Sequence, residues 1–158
     1  MTVIAGAKTQ SEPRGVRIAR FTLAGLLAFA AVTHAILTPE HFEQSAMMGA
    51  GFVAATVVEL ALAVAVLLAP TAWAYAGTIV VAAGLIGLYG WNVMVGLPFA
   101  QAAQAGAHED DSHGGHHDGL VIGAGEPVDA AGAVTKGAEL GCIALASWLV
   151  TRRRRGPQ

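Results

Sequence analysis

Residues 47–97 read MMGAGFVAATVVELALAVAVLLAPTAWAYAGTIVVAAGLIGLYGWNVMVGL, and Glu59 is the only charged side chain among them. A helix that crosses a bilayer needs about 20 mainly apolar residues, each rising about 1.5 Å. The stretch holds two such runs, 47–69 and 73–97, separated by Pro70, Thr71 and Ala72. Proline lacks the N–H that a helix interior uses, so Pro70 is a natural boundary. The reading is two antiparallel spans joined by a tight turn. Runs this long and continuous do not suit barrel strands, which alternate over about ten residues.

Working outward, a third run covers 16–37, with Arg17 and Arg20 at its start. A fourth covers 130–150 and is weaker, because it carries Lys136 and Glu139. Pro39, Pro98 and Pro127 fall outside these runs. The whole chain of 158 residues is 54% hydrophobic and 13% charged. Ordinary soluble domains carry about 25% charged residues, so this balance argues against a soluble enzyme, and it excludes a disordered chain. Cys142 is the single cysteine, so neither an intrachain disulfide nor a cysteine-based zinc site is available.

Basic residues set the expected orientation. Lys8, Arg14, Arg17 and Arg20 precede or open the first run, and Arg152, Arg153, Arg154 and Arg155 follow the fourth. The positive-inside rule puts both ends in the cytoplasm, which requires an even number of spans. The expected fold is therefore all-α: an integral membrane four-helix bundle in a bacterial inner membrane. Residues 1–15 form a cytoplasmic tail, 16–150 the four-span domain, and 151–158 a basic cytoplasmic tail. The arginine run reads as a stop-transfer and orientation signal that also suits anionic headgroups. The lipid bilayer is the expected partner, with no nucleic acid. One alternative is cleavage near Ala31-Val32-Thr33-His34-Ala35, which would leave three spans.

This topology makes 38–46 a short outer loop and 98–129 a long one. Eight of the eleven acidic residues lie in or beside these loops: Glu40, Glu43, Glu109, Asp110, Asp111, Asp118, Glu126 and Asp129. All six histidines lie outside or in the outermost turns of the first span. The sharpest feature is 108–118, where His108, His113, His116 and His117 stand among Glu109, Asp110, Asp111 and Asp118. Imidazole and carboxylate together suit a transition-metal ion such as zinc, copper or nickel. Gly114 and Gly115 make the backbone pliable, and the spacing matches no fixed zinc motif. The loop reads as a labile ion collector, as a solvated low-complexity linker, or as a pH-responsive segment. A second group lies nearer the membrane: His34, His41 and Glu43, then Met47, Met48 and Met94. Histidine with thioether suits copper, although methionine is also a common packing residue.

Inside the membrane, Glu59 falls about 18 Å along its span from Met47, near the midplane. An ionised carboxylate there is costly and should face the bundle, protonated or paired. Phe52, Ala55 and Ala63 share its helix face. In the fourth span Lys136, Glu139 and Cys142 recur every three residues as a polar stripe. Lys136 has two potential partners, Glu139 on its own helix and Glu59 across the bundle. Ala133, Gly137 and Gly141 form a ridge of small residues, and Gly77, Gly84, Gly87 and Gly90 line the third span, so close packing is expected there. Asn92, Lys136, Glu139 and His34 fall in the outer half, either as a functional polar cavity or as glue between helices. No phosphate loop, nucleophile elbow, metalloprotease motif or dinucleotide fingerprint is present, so no catalytic residues are assigned and an enzyme is not expected.

Two resemblances follow from these residues. The segment His34-Ala-Ile-Leu-Thr-Pro-Glu-His-Phe-Glu43, with Val95-Gly-Leu-Pro98 later, resembles a group of small actinobacterial membrane proteins over about the first 100 residues. That resemblance implies a four-helix membrane protein and no particular activity. Glu59 within the second helix is similar to the pattern of the DoxX-like superfamily of four-span proteins, which implies a redox association. The His-rich loop lies outside that pattern. The leading expectation is an accessory protein that binds transition-metal ions on the extracytoplasmic side, working as a homo-oligomer or with a membrane-protein partner. The alternatives are a structural or assembly subunit of a larger, for example respiratory, membrane complex, and a DoxX-like redox-associated protein.

Overall fold

The computed structural model describes residues 12–95 and 130–155, all in four helices and their immediate connections. These are α1 (Arg14–Gln44), α2 (Ala46–Leu68), α3 (Ala72–Val95) and α4 (Ala130–Arg154). Each is long and apolar enough to cross a membrane. The described residues are thus all-helical, as suits a multi-pass membrane protein.

Local chemistry sets the helix ends. The Pro13 carbonyl accepts from the amides of Val16 and Arg17 and starts α1. Ser45, with extended backbone, is the single residue between α1 and α2; its hydroxyl accepts from the Met47 amide at 3.2 Å and caps α2. Thr71 caps α3 in the same way, accepting from the Ala74 amide at 3.2 Å. The short 69–71 connection fits the turn expected around Pro70.

The first span departs from expectation. It was expected to end near residue 37 and give way to a loop over 38–46. Instead α1 stays helical to Gln44, through Pro39, for 31 residues or about 46 Å. Proline inside a helix costs about 3 kcal/mol through the missing amide and the clash with the preceding turn. Neighbouring side chains hold these last turns. The Thr38 hydroxyl donates to the His34 carbonyl at 2.8 Å, and His41 Nδ1 donates to the Leu37 carbonyl at 2.9 Å. The His41 ring stacks on Phe52 of α2 with centroids 3.7 Å apart. Phe42 lies directly over Gly49, where any Cβ would fall on its ring. Glycine at 49 is what lets the end of α1 close onto the start of α2.

In the bundle α1 packs chiefly on α2, and α4 packs on both α1 and α3. Contact between α2 and α3 is the slightest of these, although they are consecutive. The apolar core joins Leu23 and Leu27 of α1, Val66 of α2, Tyr75 of α3, and Ala146 and Leu149 of α4. The start of α1, the 69–71 turn and the end of α4 therefore share one end. Arg153 sits over the Tyr75 ring there, at 5.8 Å from its centroid. The α1–α2 junction and the start of α4 lie at the other end.

The bundle exterior is apolar, and polar side chains are among those buried inside it. Glu59, Glu139, Thr78, Thr135, His34 and Asn92 are buried, while Ile36, Val80, Leu68 and Trp73 are at least 70% exposed. An apolar exterior with the polar groups turned inward is what a lipid surround selects. Two packing expectations are corrected. Gly84, Gly87 and Gly90 are exposed, with nothing within 4 Å of a Cβ built on them, so this stripe is not packed inside the described bundle. In α4, Ala133 and Gly137 are also exposed, and only Gly141 meets a neighbour, with Leu26 Cδ1 3.1 Å from its Cβ position. The buried small residues of that helix are Ala138, Cys142 and Ala146.

Candidate metal centre

Three helices deliver ionisable side chains to one level. His34 lies about 15 Å from the end of α1, Glu59 about 20 Å into α2, and Glu139 about 14 Å into α4. The antiparallel course of α1 against α2 and α4 brings these depths together. His34 Nδ1 is 2.9 Å from Glu59 Oε2, and its Nε2 is 3.9 Å from Glu139 Oε1. The first distance is a charge-assisted hydrogen bond; the second is an ion-pair distance beyond hydrogen-bond reach. Lys136 Nζ donates to Glu139 Oε1 at 2.6 Å, one helical turn away on α4. Of the two partners open to Lys136, it takes the one on its own helix.

The four groups form a chain, Glu59–His34–Glu139–Lys136. One ammonium group and one imidazole thus stand beside two carboxylates, which lowers the cost of holding them in a low-dielectric interior. One atom is left over. Glu139 Oε2 is buried and has no hydrogen-bond partner among the described residues. An unsatisfied buried polar atom costs about 1–3 kcal/mol, and more when charged. Such an atom calls for a ligand or a proton.

His34, Glu59 and Glu139 each offer one donor atom, and these lie within 4.8 Å of one another. A zinc ion bound at about 2.1 Å by tetrahedral donors spaces them about 3.4 Å apart. Side-chain adjustment of about an ångström closes the set. Lys136 is the competitor for Glu139.

The cluster borders a cavity of about 190 Å³. Its walls come from all four helices and include His34, His41, Met48, Phe52, Asn92 and Lys136. Glu40 and Met47, both exposed, line it at the α1–α2 end of the bundle. The cavity thus runs from that end toward His34.

The structure brings together five of the residues singled out in the sequence: His34, Glu59, Lys136 and Glu139 in the cluster, and Asn92 on the cavity wall. His41 lies on the wall with Nδ1 committed to the Leu37 carbonyl. The His/Met grouping assembles in part: His34, His41, Met47 and Met48 share the cavity, whereas Met94 is 59% exposed and outside it. Cys142 is buried as a member of the apolar core. His108, Glu109, Asp110, Asp111, His113, His116, His117 and Asp118 lie outside the described residues.

Two aromatic residues, Phe52 on the Glu59 face and Tyr89, make contacts that the sequence reading did not assign. Phe52 touches both histidines, edge-on to His34 at 5.4 Å and stacked on His41. The Tyr89 ring faces Lys136 Nζ at 5.4 Å. The signal for both was present as helical spacing: Phe52, Ala55 and Glu59 share a face, as do Leu85, Tyr89 and Asn92.

No family model, curated protein or solved structure compared with the chain matches it. Fold and site define its class: a multi-pass membrane protein whose four described helices hold a buried ionisable cluster.

Proposed function

We propose that this protein is an accessory protein of a bacterial inner membrane that binds a transition-metal ion taken from the extracytoplasmic side. The observation that carries the reading is the buried His34/Glu59/Glu139 set, with donor atoms within 4.8 Å and one Glu139 oxygen unpartnered. The end of the bundle bearing Arg20 and Arg152–Arg155 is the cytoplasmic one by the positive-inside rule, so both termini are cytoplasmic. The cavity then opens outward. The 108–118 loop gathers ions at that surface, and the buried set holds them. One imidazole and two carboxylates suit zinc, nickel or copper(II) better than copper(I), which favours sulfur ligands. A bundle this small passes an ion onward only with a second copy or a membrane partner.

The test is metal titration of the purified protein in detergent with zinc, copper, nickel and cobalt. The parent is compared with Glu139→Gln and with a 108–118 deletion. Glu139→Gln keeps the side-chain shape and removes a charged donor, so at least about a hundredfold loss of zinc affinity is expected, in the range or beyond that of outer-shell partners. The loop deletion is expected to lower the number of weakly bound ions and leave the tight site. Equal tight binding by parent and Glu139→Gln contradicts the reading. A second reading, a structural subunit of a larger membrane complex, is favoured by the open Gly84/Gly87/Gly90 face of α3, which leaves room for a partner helix. That reading predicts no tight metal binding by the parent.

A further inference from the structure

Resting on that reading, we infer that Lys136 is a built-in, displaceable cation that fills the site until a divalent metal ion replaces it, and that it thereby excludes monovalent ions. Lys136 holds the same Glu139 carboxylate that a metal needs, at 2.6 Å. The two partners differ in access. The Lys136 side chain is 16% exposed and reaches in from the cavity wall, while Glu139 is 1% exposed. Displacement requires no helix movement, because the pair is local to α4 and separates by rotation of the lysine side chain. The cavity beside it offers room for the side chain to swing into, and the ammonium group already lies 5.4 Å from the Tyr89 ring centroid while it holds Glu139.

Charge decides which ions succeed. The set presents two carboxylates, and the lysine ammonium supplies one positive charge to them. A sodium or potassium ion brings the same single charge as the lysine. It must also compete with a group tethered one helical turn away, whose effective concentration is high. Exchange of lysine for such an ion gains nothing electrostatically and loses the ion's hydration. A divalent ion brings twice the charge into a low-dielectric site and binds both carboxylates and the imidazole together. Lys136 thus acts as an internal threshold that only a doubly charged ion with affinity for nitrogen and oxygen overcomes.

The experiment compares parent, Lys136→Met and Lys136→Arg in detergent by zinc titration, with and without sodium or potassium chloride. It also follows amine-reactive labelling of Lys136 in the parent by peptide mass spectrometry. Lys136→Met keeps the side-chain length without charge and is expected to bind zinc about tenfold tighter or more, since the resident competitor is gone. Its zinc binding should weaken when monovalent salt is added, more than the parent's does. Lys136→Arg keeps the cation and should show no gain. Zinc should raise the labelling rate of Lys136 in the parent severalfold and leave it unchanged in Glu139→Gln. Equal or weaker zinc binding by a folded Lys136→Met, or labelling of the parent unaffected by bound zinc, overturns the inference. If the parent binds no zinc but Lys136→Met does, the lysine blocks the site without being displaced, and the inference and the uptake reading both fail. If neither binds, both fail.

Discussion

The two halves of this bundle are built from the same four described helices, yet they pack differently. Toward the arginine-rich end, Leu23, Leu27, Val66, Tyr75, Ala146 and Leu149 close into an apolar core. Toward the α1–α2 junction, the same helices enclose a cavity of about 190 Å³ with His34, Glu59, Glu139 and Lys136 at its side. In lipid, apolar packing gains little from the hydrophobic effect, so the close-packed half is held by van der Waals fit. The cavity half is held by a chain of charged contacts in a low-dielectric interior. One half holds the helices in place; the other spends packing density on a polar site.

Two substitutions separate these roles, beginning with the larger effect. Glu59→Ala leaves the His34 ring without its 2.9 Å partner and unbalances a buried cluster. The expected loss is about 3–5 kcal/mol, as for breaking one side of a buried ion pair. Reversible unfolding in mixed micelles measures it, and metal binding should be lost as well. Leu27→Ala empties a position that is 2% exposed in the apolar core. It should cost about 2–4 kcal/mol by the same unfolding measurement. Zinc affinity, however, should stay within about twofold of the parent's, since binding contacts and core contacts do not overlap. A large change in affinity from Leu27→Ala would dissolve the distinction between the two halves.

Much of the fold was legible in the sequence because the bilayer imposes length and polarity. The spans at 47–69 and 73–97 overlie α2 and α3 across the described residues, and their starts agree to within one residue, since Ser45 and Thr71 cap the helices and Pro70 divides them. The end of α1 was not legible. Pro39 reads as a terminator in isolation, and the contacts that keep the helix going, the His41–Phe52 stack and Phe42 over Gly49, join residues on different helices. The site was legible residue by residue but not as an arrangement. Lys136 and Glu139 lie one turn apart, so their pairing follows from helical spacing alone. The pairing of His34 with Glu59 depends on how α1 is rotated against α2, and sequence periodicity in such alanine-rich helices does not fix that rotation. The ridge in α4 failed for the same reason. Small residues occur on several faces, and the buried set proved to be Ala138, Cys142 and Ala146 rather than Ala133, Gly137 and Gly141.

The central claim is that the tight metal site lies in the bundle and not in the 108–118 loop. X-ray absorption at the zinc edge, on parent and loop-deleted protein each loaded with one equivalent, tests it most directly. The account predicts a first shell of nitrogen and oxygen at about 2.0–2.1 Å, with the scattering of one imidazole, identical in both proteins. A shell of several imidazoles in the parent that disappears with the loop would contradict it.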